Sequence, residues 1–103
     1  MLIKEGVVHE GVHWRIGYAL AIANRIWALH GKDLVWVSGR EGRHSLGSFH
    51  PLGLAADLRT HYFNTDTIKE VAAALRTELP KGYDVVVEKH HIHMEYDPKE
   101  VQR

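Results

Sequence analysis

Residues 88–97 read EKHHIHMEYD. Successive side chains of a strand point to opposite faces. The stretch therefore puts Ile92, Met94 and Tyr96 on one side and His91, His93 and Glu95 on the other, and Pro98 ends it. A half-buried strand with one wet face shows the same alternation, so this segment fixes a strand and leaves open what its histidines do.

Three further strands are read outward from it. YDVVVE, residues 83–88, runs into the histidine strand. LAADLRT, residues 54–60, puts Ala56, Leu58 and Thr60 on one face and Ala55, Asp57 and Arg59 on the other. LVWVS, residues 34–38, is short, apolar and β-branched, and Gly39 closes it. Two segments carry the helical period instead. Ile16, Ala19, Leu20, Ala23, Ile26 and Trp27 recur at three- and four-residue spacing between His13 and His30, with Gly31 as a stop. Ile68, Val71, Ala72, Leu75 and Leu79 do so from Thr67 to Leu79, opened by a Thr67–Glu70 capping box and closed by Pro80. The loops joining the strand pairs are too short for parallel crossovers. The expected fold is one α+β domain with a largely antiparallel sheet of about four strands and two main helices. Trp14, Trp27 and Trp36 fall on apolar periods and are expected in the core, whereas His9, His13, His30 and His61 are expected at the surface or at helix caps.

Composition narrows the function. The 103 residues hold 13 basic and 13 acidic side chains, so the chain has no broad positive field for nucleic acid. There is no cysteine, which removes disulfides, thiolate metal sites and cysteine nucleophiles. A metal would have to be held by His, Asp and Glu, and nine histidines are present. No window approaches the ~18 apolar residues of a membrane span, and the N-terminus has no secretory pattern. Synthesis in the cytoplasm is expected.

A second segment gives the histidine strand a partner. In SFHPLGLAADLR, residues 48–59, His50 and Asp57 stand seven positions apart, with Gly53 to turn the chain and the small Ala55 between them. One imidazole and one carboxylate from here, with one imidazole from the last strand, make three protein ligands. A tetrahedral ion would keep a fourth place for water, as catalytic rather than structural zinc does.

SFHPLGLAAD resembles the S-x-H-x-x-G-x-A-x-D signature of the zinc peptidases that include D-alanyl-D-alanine carboxypeptidases, vancomycin-resistance D,D-dipeptidases and L-alanyl-D-glutamate endopeptidases of phage endolysins. Ser48, His50, Gly53, Ala55 and Asp57 match its five anchors, and EKHHIHME is similar to the second signature, which carries the third ligand after an acidic residue. The likeness spans roughly residues 34–98. It implies the fold shared by these enzymes and the hedgehog signalling domain, and Zn²⁺ held by His50, Asp57 and His93, with His91 on the same face as the alternative third ligand. It further implies Glu88 as general base and acid, and His91 beside the metal, orienting water or stabilising an oxyanion. Family members also use an arginine upstream of the first ligand for the substrate carboxylate or the oxyanion. Arg40 is favoured for this role, Arg43 is the other candidate, and Ser48 would hydrogen-bond substrate or brace its loop. His44 is expected to be an exposed loop residue.

The activity implied is zinc-dependent cleavage of peptidoglycan peptide bonds, of the L-alanyl-D-glutamate endopeptidase or D-alanyl-D-alanine carboxypeptidase type, in a phage-type lytic enzyme. The expected partner is a stem peptide or muropeptide, met by a monomer with neither nucleic acid nor membrane. The competing expectation is a zinc-binding domain for assembly or recognition that has no catalysis.

Overall fold

A computed structural model describes residues 1–41 and 49–99. In chain order the elements are β1 (Leu2–Ile3), α1 (Trp14–Leu29), β2 (Val35–Ser38), β3 (Ala55–Arg59), α2 (Thr65–Glu78), β4 (Tyr83–Val87) and β5 (His91–Tyr96). They form one five-stranded sheet in the order β1-β2-β3-β5-β4. Two helices and α+β character are as expected, but the sheet has five strands and is mixed, because β1 pairs parallel to β2. The other pairings are antiparallel. β1 left no trace in the sequence for a physical reason. It is two residues long with both side chains exposed, and it is held by backbone alone, Leu2 N–H donating to Leu34 O at 2.8 Å and Lys4 N–H to Trp36 O at 3.0 Å.

Both helices end on recognisable chemistry. His13 caps α1, its Nδ1 accepting from Arg15 N–H at 3.2 Å. At the other end Gly31 takes a left-handed φ of 76°. Its N–H reaches Ala28 O at 3.0 Å, and Lys32 N–H reaches Trp27 O at 3.1 Å, the paired bonds of a Schellman ending. The expected Thr67 cap of α2 is corrected. Asn64 is the cap, accepting from Thr67 N–H at 2.8 Å, and the helix starts at Thr65. Asn is among the strongest N-caps, and its position three residues earlier turns Thr67 into the residue being capped.

The apolar faces of both helices and of the strands share one core. Ile16, Ala19, Ala23, Ile26 and Trp27 of α1 and Val71, Ala72 and Leu75 of α2 pack with Trp36, Ala56, Leu58, Val85, Ile92 and Met94 of the sheet. Trp27 and Trp36 are buried, as their spacing predicts, and each satisfies its indole N–H, on Arg59 O at 3.2 Å and Ser38 O at 2.8 Å. Trp14 corrects the expectation. It is 66 % exposed, because it lies on the α1 stripe of Gly17, Tyr18 and Ala21, all exposed, and off the buried 16/19/20/23 stripe. The Arg15 guanidinium stacks 4.5 Å from its ring centroid. With the helices on one face of the sheet, the odd-numbered positions of β3 and β5 are turned to the other.

Candidate metal centre

Register brings the site together. Directly opposed residues of antiparallel strands share a face, so Asp57, His93 and Val86 form one row across β3, β5 and β4. Ala55, Glu95 and Asp84 form the row on one side of it, and Arg59 and His91 the row on the other. His50 comes over this face from the turn before β3. Gly53 there has a left-handed φ of 73°, and its N–H closes on His50 O at 3.0 Å, while Leu54 N–H bonds Phe49 O at 3.1 Å. The turn needs a glycine at this position, as the sequence indicated.

Three ligand-type atoms converge. His50 Nε2 stands 3.2 Å from His93 Nδ1 and 3.2 Å from Asp57 Oδ2, and His93 Nδ1 stands 2.9 Å from Asp57 Oδ1. His50, Asp57 and His93 form a group that can hold a metal ion. Atoms bound about 2.0–2.1 Å from a tetrahedral ion stand about 3.3 Å from one another, so this set needs to open by only a few tenths of an ångström.

The outer nitrogens of the two rings explain why the inner ones point as they do. His50 Nδ1 is 2.9 Å from Gly39 O, and a carbonyl only accepts, so Nδ1 carries the hydrogen. His93 Nε2 is 2.8 Å from Glu95 Oε1, and donates to that carboxylate. In neutral rings both inner nitrogens are then bare lone pairs. Two lone pairs and a carboxylate, facing one another across about 3 Å in a buried place, repel unless a cation joins them. Without metal that cation is a proton. The Asp57 hydrogen bond holds the His93 pKa above its ordinary value, against the opposing effect of burial and with help from Glu95. Burial by itself would raise the Asp57 carboxyl, but hydrogen bonds from His50 and His93 and the charges of His50 and His91 hold it well below the usual carboxylate range. A metal ion bound here takes the place of that proton.

The remaining expected residues are less tightly gathered. His91 Nε2 is 3.6 Å from Asp57 Oδ1, at the rim of the group. Glu88 lies just beyond β4; its N–H bonds His91 O at 2.9 Å, which carries the register one step on and sets it opposite His91. Its side chain is exposed and is not part of the convergent group. Arg40 does not join either. Its guanidinium is engaged by backbone, Nη1 donating to Glu10 O at 2.7 Å and Nε to Pro51 O at 3.4 Å. Arg43, His44 and Ser48 lie outside the described residues.

Two participants had no role assigned from the sequence. Glu95 was legible, since a residue two positions after His93 must share its face. The Gly39 carbonyl had no signal, being a backbone group eleven positions before the ring it fixes. A hollow of about 390 Å³, lined by Met1, His9, Trp14, Leu20 and Trp36 among others, lies beside α1 and includes none of the convergent residues. Comparison with protein-family models, curated proteins and solved structures returned no match for this chain. No described helix is long and apolar enough to cross a membrane.

Proposed function

We propose that the chain is a zinc-dependent peptidase acting on peptidoglycan stem peptides, of the L-alanyl-D-glutamate endopeptidase or D-alanyl-D-alanine carboxypeptidase type. The observation that carries this reading is the meeting of His50, Asp57 and His93, the positions picked out by the two signatures, with donor atoms 2.9–3.2 Å apart. Two imidazole nitrogens and one carboxylate oxygen, with no thiolate, suit zinc in a catalytic rather than a purely structural site. When bound, zinc supplies a polarised carbonyl and a water whose pKa is lowered to about 7.

The chain's own residues do the rest. Asp57 contributes negative charge, while the Gly39 carbonyl and Glu95 hold the two rings with their lone pairs inward. His91, at the rim, presents Nε2 where it can donate to a carbonyl oxygen as charge develops on it. Glu88, opposite His91 and open to solvent, would take a proton from the attacking water and return it to the leaving amine. Mass spectrometry of muropeptides digested by zinc-loaded protein tests the reading. New termini that vanish with chelator and return with zinc are expected, and intact muropeptides at every zinc level would overturn it.

A second reading is supported by the exposure of Glu88 and its place outside the convergent group. It makes the chain a zinc-binding module for assembly, with no turnover. Glu88→Gln separates the two. For a peptidase the variant keeps the wild-type zinc affinity and loses muropeptide cleavage by about 10²-fold or more; for a module, wild type and variant are equally inactive.

A further inference from the structure

The N-terminal segment before α1 is tied to the two ends of the chain that frames His50. At one end Val8 O accepts from Arg40 N–H at 2.9 Å, and Glu41 Oε1 accepts from both Val8 N–H at 2.9 Å and Gly39 N–H at 2.8 Å. At the other, His13 N–H donates to Gly53 O at 2.8 Å. The Arg40 side chain bridges the two ends, reaching Glu10 O in the N-terminal segment and Pro51 O next to His50.

The packing here is close enough to need glycines. A Cβ on Gly39 would fall 2.6 Å from Val8 O, and a Cβ on Gly53 would fall 2.6 Å from Gly11 O. These are backbone atoms with nowhere to move cheaply. Both glycines contact His50 directly: Gly39 O takes its ring hydrogen, and Gly53 N–H bonds its carbonyl.

We propose that residues 7–13 brace His50 for metal binding, with Arg40 and Glu41 as positioning residues that set the affinity of the centre without touching the ion. This rests on the metal-centre reading and is independent of the peptidase reading. It also gives Arg40 a different task from the one expected of it. A planar guanidinium has donors in a fixed fork that can hold two carbonyls at once, which a lysine cannot copy. The carbonyl of Gly39 is a partner of a ligand's outer nitrogen, and loss of such partners costs about 10–100-fold in metal affinity. Residues that hold that partner are expected at the lower end of this range.

The test is the Zn²⁺ Kd of the full chain, measured by competition with a chromophoric chelator, for wild type, Arg40→Ala, Arg40→Lys and Glu41→Gln. Each variant is expected to bind about tenfold more weakly, with wild-type helix content by circular dichroism and with no rescue by lysine. Coupling is reciprocal, so zinc is also expected to slow hydrogen exchange at the Val8, His13 and Arg40 amides of the wild-type chain. That second measurement needs no variant to fold. Wild-type Kd values in the folded variants, or amide exchange at those positions that ignores zinc, would overturn the brace. A wild-type chain that binds no zinc is a different result; it removes the centre itself, and the brace with it.

Discussion

The two faces of β3 and β5 are written in the same ten or so residues and have opposite physics. One face carries Ala56, Leu58, Ile92 and Met94, all fully buried under the helices. The other carries Asp57, His91, His93 and Glu95, linked by ion pairs and hydrogen bonds. Burial of apolar surface stabilises the first face by roughly 25 cal/mol per Å². The second gathers imidazoles and carboxylates that need a shared proton or a metal ion between them. The difference shows how a small domain can carry a polar cluster: packing on one side fixes the strands, and with them the register that sets Asp57 opposite His93 on the other.

That contrast can be broken most sharply by substituting adjacent positions. Asp57→Asn is expected to remove zinc binding in chelator competition while the fold persists, because the helix-covered face is untouched. Leu58→Ala, one residue on, is expected to lose about 2–5 kcal/mol in denaturant unfolding yet keep a near wild-type zinc Kd when measured well below its transition. If both variants lose stability and affinity together, the two faces are not separable.

A smaller effect is expected from Glu95→Gln. The amide still reaches His93 but no longer presents a charged acceptor, and zinc affinity should fall about 10–100-fold, or about 1.4–2.7 kcal/mol. Unchanged affinity would show that the His93 tautomer is set by something else.

The smallest effect is a pH dependence whose sign differs with and without metal. The His93 pKa is raised above its ordinary 6.5, so its contribution in the metal-free chain is full below pH 6.5 and is lost as pH rises through the folded value. The Asp57 pKa is lowered from 3.8, so its contribution is present above pH 3.8 and is lost as pH falls through the folded value. The metal-free pair therefore helps most between these limits. Zinc requires both rings unprotonated, so the gain in Tm on adding zinc should grow from pH 6 to pH 8. A flat gain across that range would mean that zinc and the proton do not compete for His93.

Much of this was legible in the sequence, for reasons tied to particular residues. His50 and Asp57 could be paired from the glycine turn and strand alternation, which also put an imidazole of the last strand on the same face; His93 rather than His91 came from the resemblance to the peptidase signatures. Both helices could be read from their apolar stripes, and Gly31 from its place after the last of them. What stayed hidden depends on distance along the chain or on the absence of side-chain patterning. β1 has no period to read. Trp14 was misplaced because one tryptophan near a stripe resembles one on it. Thr67 with Glu70 fits the spacing of a capping box, but Asn64 three residues earlier is the cap, and the sequence reading gave it no role. The clasp of Arg40 on Glu10 and Pro51 joins segments separated by 30 and 11 positions, and it uses backbone carbonyls that every residue has.

The two rings present different nitrogens, Nδ1 from His93 and Nε2 from His50. Nδ1 adjoins the ring carbon that bears the side chain, so its position follows the β5 backbone with little freedom; Nε2 is at the tip of the imidazole, where a small tilt of the ring or its turn moves it far. The geometry of the centre is therefore most sensitive to displacement on the loop side, which is the side that the packing around Gly39 and Gly53 holds in place.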